Sequence, residues 1–409
     1  MKYKILTPLL LSLSLLLSSC GGGGGGSSTY TDPGRVVDTG TFSLTEKVFV
    51  HDLFLTEYLW YDEVASNINY EEYSTPQSLV DGLRVDPPDQ WSFTITAQEY
   101  EDYANQKTIG FGFGYTNGFK IFFVRIDAPA WNKLKRGDEI IEINGEPVND
   151  SNIADASQNV NVSTTFTVLR EGNEVDVDVT AKEYTFKVTL GKIIDNNGVK
   201  VGYLRYDSFT GTSVNEFEQE FSKFKNENIS ELVIDLRYNG GGSVDTTSAL
   251  IDNISNVYAG KKQMYLDWNA NYKSKNSSYY FEDSDMQDGN ELNMKRVVFL
   301  VTKNSASASE ALINALVPYL GAANIVTIGD DTHGKPVGMS GKGYGNNYYF
   351  LINFFVNNNA DDSTSFDGIT PTCRTEDDLT LPMGDPNEKM LNTALEFIKI
   401  NALGKSVCP

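Results

Sequence analysis

The chain contains 409 residues, of which 40% are hydrophobic and 22% are charged, the balance of an ordinary globular protein. This length exceeds what one hydrophobic core normally supports, so we expect two or three domains. The formal net charge is −22, and an acidic surface of that size repels the phosphates of nucleic acids. We therefore exclude DNA and RNA as partners.

The N-terminus has the features of a targeting segment. Two lysines precede an apolar run from Ile5 to Leu17, which is too short to span a bilayer and has the length of a signal-peptide core. The next residues, Leu17-Ser18-Ser19-Cys20, resemble the lipobox of bacterial lipoproteins. This resemblance implies that residues 1–19 are removed and that Cys20 carries a lipid. A plain secretory signal with a chance cysteine is the alternative.

A flexible tether follows the lipobox. Six glycines, Gly21 to Gly26, and two serines begin the segment 20–41, which we interpret as a lipidated cysteine and its linker. No later run of the sequence is apolar enough to span a membrane. We therefore expect a protein of the bacterial cell envelope that is held to the membrane through Cys20, on the periplasmic face or at the outer membrane.

Two further cysteines, Cys373 and Cys408, leave two possibilities open. In an oxidising envelope they can form one disulfide that ties down the C-terminal tail, or they can remain free thiols. A zinc site is disfavoured, because the chain has only two histidines, His51 and His333, and no paired cysteine motif.

The pattern of the sequence changes twice along the folded part. Residues 42–107 show apolar residues at helical spacing and no identifiable chemistry, so we predict a small N-terminal helical domain. Residues 108–183 read as β-rich, with stretches of alternating valines and acidic residues. Residues 184–409 alternate strand and helix patterns, which predicts an α/β core around a largely parallel sheet.

The most informative segment is 297–310, in which an apolar strand pattern runs into small residues and then a helix. A nucleophile on such a turn lies at the exposed carboxyl end of a sheet, where backbone N–H groups can face an oxyanion. Ser307 is one candidate, but Ser305 and Ser309 flank it, which leaves the choice of serine open. Ser307 and Glu310 also have the spacing of a capping box, so Ser307 is alternatively only a helix cap.

A serine hydroxyl requires a base at neutral pH. The segment 329–338 contains two candidates, His333 and Lys335. His333 would belong to a Ser-His-Asp triad. Lys335 would act only if burial lowered its pKa, and a solvated turn lysine is the alternative.

A third segment, Asp235-Leu236-Arg237-Tyr238-Asn239-Gly240-Gly241-Gly242, leads a buried strand into a glycine-rich loop. The N–H groups of such a loop are accessible and can form an oxyanion hole. A phosphate-binding loop is disfavoured, because the Gly-Lys-Ser/Thr that it needs is absent. A purely structural turn is the remaining alternative.

Together and in this order, the three segments resemble the carboxy-terminal processing proteases, a family of Ser/Lys peptidases. The resemblance implies a crotonase-like β/α spiral for residues 184–409, with Ser307 as nucleophile and Lys335 as general base. It also implies that Gly241 and Ala308 supply the oxyanion N–H groups. Polypeptides are the implied substrates, and no metal or organic cofactor is implied.

One position departs from the family pattern. Many members have a glutamine four residues after the lysine that orients it, whereas this chain has Met339, which forms no strong hydrogen bond. Ser340 and Asn304 are candidates to replace that glutamine. The departure also motivates an alternative function, a catalytically inactive peptide-binding lipoprotein. A glycan- or nutrient-handling surface protein is a weaker alternative, because the 22 Tyr and 22 Phe residues show no stripe or repeat.

Residues 108–183 carry a second resemblance, to PDZ domains. Gly110-Phe111-Gly112-Phe113 matches the loop that binds the C-terminal carboxylate of a peptide, which such domains add as a strand. The resemblance implies that this module, inserted in or preceding the protease domain, captures the C-terminus of the substrate. A structural β-barrel spacer is the alternative. The predicted function is thus that of an envelope serine endopeptidase, with the oligomeric state left open.

Overall fold

The computed structural model describes residues 42–282, 289–402 and 408–409. The predicted signal peptide, the predicted lipidation site Cys20 and the tether lie outside the described residues. Within the described part, no helix is long and apolar enough to cross a bilayer. The α-helices are α1 (Leu44–Thr56), α2 (Pro76–Leu83), α3 (Ala97–Ala104), α4 (Asp150–Gln158), α5 (Ser213–Asn226), α6 (Val244–Ile254), α7 (Ala308–Leu320) and α8 (Lys389–Ala402).

The strands form two large sheets and several small ones. They are β1 (Phe93–Thr96), β2 (Lys107–Gly110), β3 (Phe113–Tyr115), β4 (Ile121–Val124), β5 (Glu139–Ile143), β6 (Glu146–Pro147), β7 (Ser163–Arg170), β8 (Asn173–Thr180), β9 (Lys182–Thr185), β10 (Thr189–Asn196), β11 (Val199–Tyr206), β12 (Glu231–Asp235), β13 (Lys262–Trp268), β14 (Ser277–Tyr280), β15 (Val297–Val301), β16 (Ile325–Gly329), β17 (Val337–Tyr344), β18 (Asn347–Asn358) and β19 (Cys373–Arg374).

The central sheet has the strand order β10-β11-β12-β15-β16-β19. Pairing is parallel from β11 to β19, and only β10 is antiparallel. Alternate residues of β15 face opposite layers: Phe299 packs with α5, α6 and α7, whereas Val298 and Leu300 pack with α8. Burial on both faces explains why this strand is an unbroken apolar run. The predicted α/β core with a largely parallel sheet is confirmed.

The second large sheet joins the N-terminal segment to the C-terminal half. Its order is β1-β18-β13-β14, and β17 also pairs with β18. Strand β1 pairs antiparallel with β18, with Phe93 opposite Phe350. Helices α1 and α2 share one apolar core with β17 and β18. The prediction of a helical segment therefore misses β1, whose four residues are too few for a period to be read.

Residues 107–185 form a separate group of small antiparallel sheets, which we call the β module. Its sheets pair β2 with β9, β3 with β4, and β6-β5-β7-β8. A small core holds them together, in which the rings of Phe111 and Phe113 meet Phe166 edge-on, 4.9 and 5.6 Å apart. In the chain, the module follows β1 and precedes the first strand of the central sheet. It is therefore inserted between parts of the two large sheets and does not precede both of them.

Cys373 and Cys408 form a disulfide. Of the two possibilities left open by the sequence, the disulfide is therefore correct. Cys373 belongs to β19 at the edge of the central sheet, so the bond attaches the end of the chain to that sheet.

A buried ion cluster lies beyond the end of β12. The guanidinium of Arg237 is fully buried and donates to Asp235 at 2.9 Å, to Glu388 at 2.9 and 3.0 Å, and to Asp377 at 2.9 Å. Arg136 of the β module donates to the same Asp377. The cluster therefore connects the central sheet, the base of α8 and the β module.

We expect Arg237→Met to lower the free energy of unfolding by about 3–5 kcal/mol, because it leaves buried carboxylates without a counter-ion. Urea denaturation followed by circular dichroism measures this loss. Arg374→Met is the matched control, because Arg374 pairs with Asp330 and Asp331 but keeps 57% of its side chain exposed, and its loss should be much smaller. Equal losses in the two variants would contradict the importance of the buried cluster.

Candidate active site

Ser307 occupies a strained turn between β15 and α7. Its backbone has φ 56° and ψ −113°, a conformation that a residue with a side chain rarely adopts. Such strain is typical of a nucleophile held on a strand-to-helix turn. We call residues 305–309 the serine elbow and residues 239–242 the glycine loop.

The neighbouring serines hold the elbow in place. The hydroxyl of Ser305 donates to the carbonyl of Leu236 at 2.7 Å, and that of Ser309 donates to the carbonyl of Asn239 at 2.9 Å. Both serines are fully buried, whereas Ser307 keeps 7% exposure. Of the three serines, the geometry therefore selects Ser307 as the nucleophile candidate and assigns Ser305 and Ser309 to anchoring.

The carboxylate of Glu310 connects the elbow to a second loop, residues 330–336, which we call the lysine loop. Its Oε2 accepts the backbone N–H groups of Ser307 and Lys335, both at 2.9 Å. Its Oε1 accepts the Gly334 N–H at 2.8 Å and the Thr332 hydroxyl at 2.5 Å. Because one carboxylate oxygen accepts both N–H groups, the backbone of the candidate nucleophile lies next to the backbone of the candidate base. The predicted contact of Glu310 with Ser307 is present, but its bonds to the lysine loop were not predicted.

Lys335 is buried, with 2% of its surface exposed. Its Nζ has no hydrogen-bond partner within the part of the chain that the structure describes. Burial lowers the pKa of Lys335 to about 7, while the carboxylates of Asp89 and Glu310 act in the opposite direction. A large fraction of the amine is therefore neutral near pH 7 and can accept a proton. The alternative of a solvated turn lysine is wrong.

His333 does not take the place of the base. Its Nε2 accepts the indole N–H of Trp91 at 3.0 Å, and its Nδ1 lies 3.3 Å from the carbonyl of Lys303. Both ring nitrogens are thus directed at groups other than Ser307. The triad alternative has no support in this geometry.

The suggested replacements for the missing glutamine do not reach the lysine. Met339 is fully buried in β17. The hydroxyl of Ser340 donates to Asn353 at 2.6 Å. Since the Nζ of Lys335 has no partner among the described residues, neither Ser340 nor Asn304 orients it, and that suggestion is wrong.

The glycine loop packs directly against the elbow. A Cβ on Gly241, at φ 111°, would stand 2.9 Å from the Cβ of Ser307 and 3.1 Å from the nitrogen of Ala308. However, the N–H of Gly241 donates to the side-chain oxygen of Asn239 at 2.9 Å. Gly241 is therefore placed as predicted, but its N–H is not directed at an incoming oxyanion. Ala308 is the first residue of α7, where a backbone N–H has no partner inside the helix.

Two residues of the N-terminal segment influence the surroundings of the candidate base and were missed in the sequence. The ring centre of Trp91 lies 6.0 Å from the Nζ of Lys335. The Asp89 carboxylate, fully buried, acts electrostatically on the same amine. No local motif marks these residues, and the pairing of β1 with β18, together with the bond from Trp91 to His333, holds this segment beside the site.

The predicted peptide-binding loop lies in the β module, between β2 and β3. Gly110 and Gly112 have φ of 119° and 82°, and the rings of Phe111 and Phe113 are buried. The module meets the core at Tyr238, the residue before the glycine loop. The contacts there are an aromatic pair with Phe122 at 5.1 Å and hydrogen bonds through Arg136. Peptide binding by this loop stays a prediction.

Comparison with known proteins places this site in a family. Residues 200–375 match the model described as Peptidase family S41, and residues 46–93 match the Peptidase S41 N-terminal domain. The chain is 26% identical over 268 residues to the carboxy-terminal processing protease CtpB of Bacillus subtilis, covering 61% of this chain and 51% of that protein. It is 25% identical over 224 residues to the chloroplastic carboxyl-terminal-processing peptidase 3 of Arabidopsis thaliana, covering 49% and 39%. The chain thus spans about half or less of the length of these relatives.

Solved structures support the same fold. A putative S41 protease from Bacteroides fragilis superposes with a TM-score of 0.75 at 23% identity, covering 91% of this chain and all of that one. The photosystem II D1 C-terminal processing protease superposes with a TM-score of 0.52 at 16% identity, covering 85% and 96%. Residues 200–375, which match the Peptidase family S41 model, include the glycine loop, the serine elbow and the lysine loop. The chain belongs to peptidase family S41.

Proposed function

We propose that the protein is a serine endopeptidase of the bacterial cell envelope that cleaves polypeptides with Ser307 and Lys335. One observation carries the proposal. Lys335 is buried, its Nζ has no hydrogen-bond partner among the described residues, and its pKa is lowered to about 7. Its backbone N–H shares the carboxylate of Glu310 with the strained serine elbow. A lysine that is partly neutral near pH 7 is the kind of base that a serine nucleophile needs.

The reaction proceeds by acyl transfer. The neutral Nζ of Lys335 takes the proton of the Ser307 hydroxyl, whose oxygen attacks the scissile carbonyl carbon. The N–H of Ala308, together with the glycine loop, stabilises the oxyanion. The tetrahedral intermediate then collapses, and the departing amine takes the proton from Lys335. The Nζ of Lys335 then takes a proton from water, whose oxygen attacks the ester carbon. The bond to the Ser307 oxygen breaks, this oxygen takes the proton back from Lys335, and the second product is released as an acid.

The proposed fold of residues 184–409 is the crotonase-like spiral, and the β module is proposed to act as a PDZ domain. The central parallel sheet with helices on both faces supports the first. The Gly110–Phe113 loop supports the second, together with the contact of the module with Tyr238 beside the glycine loop. We propose that the module captures the C-terminus of the substrate before cleavage.

The proposed location is the cell envelope, with a lipid on Cys20. The lipobox-like sequence before Cys20 supports the anchor. The disulfide between Cys373 and Cys408 is consistent with an oxidising compartment.

A second candidate function, an inactive peptide-binding lipoprotein, is favoured by two observations. Met339 gives no hydrogen bond to Lys335, and the N–H of Gly241 is bound to Asn239. This candidate predicts that the protein binds peptides without hydrolysing them.

We expect Ser307→Ala and Lys335→Met each to lower hydrolysis of an unfolded polypeptide at least 1,000-fold, because they remove the nucleophile and the base. Peptide release from β-casein by the protein without residues 1–20, followed by mass spectrometry, measures this. The matched controls are the exposed Ser230→Ala and Lys303→Met, which should cleave as the parent does. Peptide binding without cleavage by the parent protein would instead support the inactive candidate.

We expect kcat/KM for this hydrolysis to rise with pH and level off, with an apparent pKa of about 7, because only the neutral amine of Lys335 accepts a proton. Initial rates between pH 5 and 9 measure the profile. His333→Gln serves as the control and should leave the midpoint in place. A midpoint that disappears in His333→Gln would assign the base to His333 instead.

We expect Glu310→Gln to slow the reaction of Ser307 with a fluorophosphonate probe about 100-fold or more, because one of the two accepting oxygens becomes an NH2 group that faces donors of the elbow or the lysine loop, and the charge of the other is lost. The variant should also lose about 1–3 kcal/mol of stability. Glu46→Gln is the matched control: Glu46 is a buried helical glutamate that accepts Asn347 and Tyr349 away from the elbow. Both variants should lose stability, but only Glu310→Gln should lose reactivity. Equal probe rates in the two would contradict the bridging role.

A further inference from the structure

The Nζ of Lys335 lies over an aromatic face. It stands 6.0 Å from the centre of the Trp91 ring, within the roughly 6 Å at which an indole attracts a lysine ammonium. Both residues are buried, with 5% of Trp91 and 2% of Lys335 exposed. Such a contact is stronger where water is excluded, so burial makes it more important here than at the protein surface.

The indole of Trp91 is fixed on several sides. Its N–H donates to the Nε2 of His333 at 3.0 Å, and its ring stacks on Phe366 with centroids 6.1 Å apart. His333 in turn donates its backbone N–H to the carbonyl of Ser305 in the serine elbow at 2.9 Å. The ring face that Lys335 meets therefore has a defined position relative to the elbow.

An indole face distinguishes between the two forms of the amine. The face carries partial negative charge and attracts the ammonium, but it offers no strong acceptor that would occupy the neutral amine. The Nζ of Lys335 has no hydrogen-bond partner among the described residues. The lone pair of the neutral amine is therefore available for the proton of Ser307, and the charged form still meets a stabilising group.

We propose that Trp91 acts through Lys335 as a positioning residue, whose ring face, fixed by His333, stabilises the ammonium that forms when Lys335 takes the proton of Ser307. The inference rests on the proposed Ser/Lys function. In this role Trp91 replaces the glutamine of the family pattern, where this chain has Met339. The attraction grows as charge develops on the amine, so it favours the transition state over the bound substrate.

Three other ionisable side chains surround the same amine or its cover. The carboxylates of Asp89 and Glu310 both favour the ammonium and oppose the effect of burial on the pKa of Lys335. The imidazole of His333 accepts from Trp91 through Nε2, so it is neutral while that bond exists. A test of Trp91 therefore has to leave these side chains and the shape of the pocket unchanged.

Fluorination of tryptophan meets this condition. Each fluorine withdraws electrons from the ring face and weakens its attraction for a cation, whereas the ring keeps nearly its size and keeps its N–H. The protein without residues 1–20 and with Ser307→Ala is produced in a tryptophan-requiring strain with ordinary, monofluorinated or difluorinated tryptophan. The readout is the NMR titration of Lys335 with ¹³C at Cε, and the signal is assigned by its absence in Lys335→Met.

We expect the midpoint of the Lys335 titration to fall by about 0.2 pH unit for each fluorine. The direction follows because the ammonium loses stabilisation and the neutral amine does not. A midpoint that is the same in all three preparations would overturn the proposal.

Two variants identify the tryptophan that acts, because this treatment fluorinates all four in the chain, Trp60, Trp91, Trp131 and Trp268. Trp91→Phe places an unfluorinated ring beside Lys335, so the midpoint should no longer depend on fluorine. Trp268→Phe is the matched control and should keep the fall, because Trp268 is 8% exposed and its ring lies 4.8 Å from the Nζ of Lys275.

A fall that persists in Trp91→Phe would overturn the proposal. If Trp91→Phe does not fold, the fall is measured in Trp60→Phe, Trp131→Phe and Trp268→Phe. Its retention in all three assigns it to Trp91, and its loss in one of them assigns it elsewhere and overturns the proposal.

The titration needs no hydrolysis, so it separates this inference from the proposed function. If the protein with Ser307 neither hydrolyses peptides nor reacts with a fluorophosphonate probe, the Ser/Lys function fails. The fluorine dependence still reports whether Trp91 acts on Lys335. If that protein is active and the midpoint ignores fluorine, only the further inference fails.

Discussion

The site depends on one buried carboxylate. Strands β12, β15 and β16 are parallel neighbours, so their carboxyl ends lie at one edge of the sheet and bring the glycine loop, the serine elbow and the lysine loop together. These loops alone would leave several backbone N–H groups without acceptors. Glu310 accepts three of them and one hydroxyl, and an ionised acceptor makes stronger bonds than a neutral one. The same contacts hold Ser307 in its strained conformation, which a freely moving loop would relax.

Desolvation of Lys335 comes from a different part of the chain. The central sheet places the lysine loop, but Trp91 and the core shared by α1, α2, β17 and β18 close the pocket on the other side. That cover is attached by the pairing of β1 with β18. The amine loses hydration as a result. This loss destabilises the charged form and favours the neutral form, which can act as a base. Stability of the N-terminal segment and basicity of Lys335 are therefore coupled.

Local patterns in the sequence were sufficient for features formed by neighbouring residues. The parallel sheet, the elbow and the lysine loop could be predicted, because an apolar strand followed by small residues is a local signal. The missed features depend on distant contacts. Trp91 approaches Lys335 through a strand pairing across about 250 residues of sequence. The hydrogen bond of the Gly241 N–H depends on the side-chain conformation of Asn239, which the spacing of residues in the sequence does not reveal. The sequence could not decide between a disulfide and free thiols, because the presence of two cysteines does not show how far apart they lie in the fold.

The glycine loop adds a step to the proposed mechanism. The side-chain oxygen of Asn239 now accepts the N–H of Gly241, while its amide donates to the carbonyl of Tyr206 at 2.9 Å. Ala308 needs no such rearrangement, because its N–H stands at the N-terminus of α7, where the helix dipole favours negative charge. In the proposed mechanism, one oxyanion donor would therefore be in place before the substrate arrives, and the second would become available only when Asn239 releases it. That exchange replaces a neutral hydrogen bond by a charge-assisted one, which is roughly twice as strong. The gain arises only when the oxyanion forms, so this contact favours the transition state over the bound substrate.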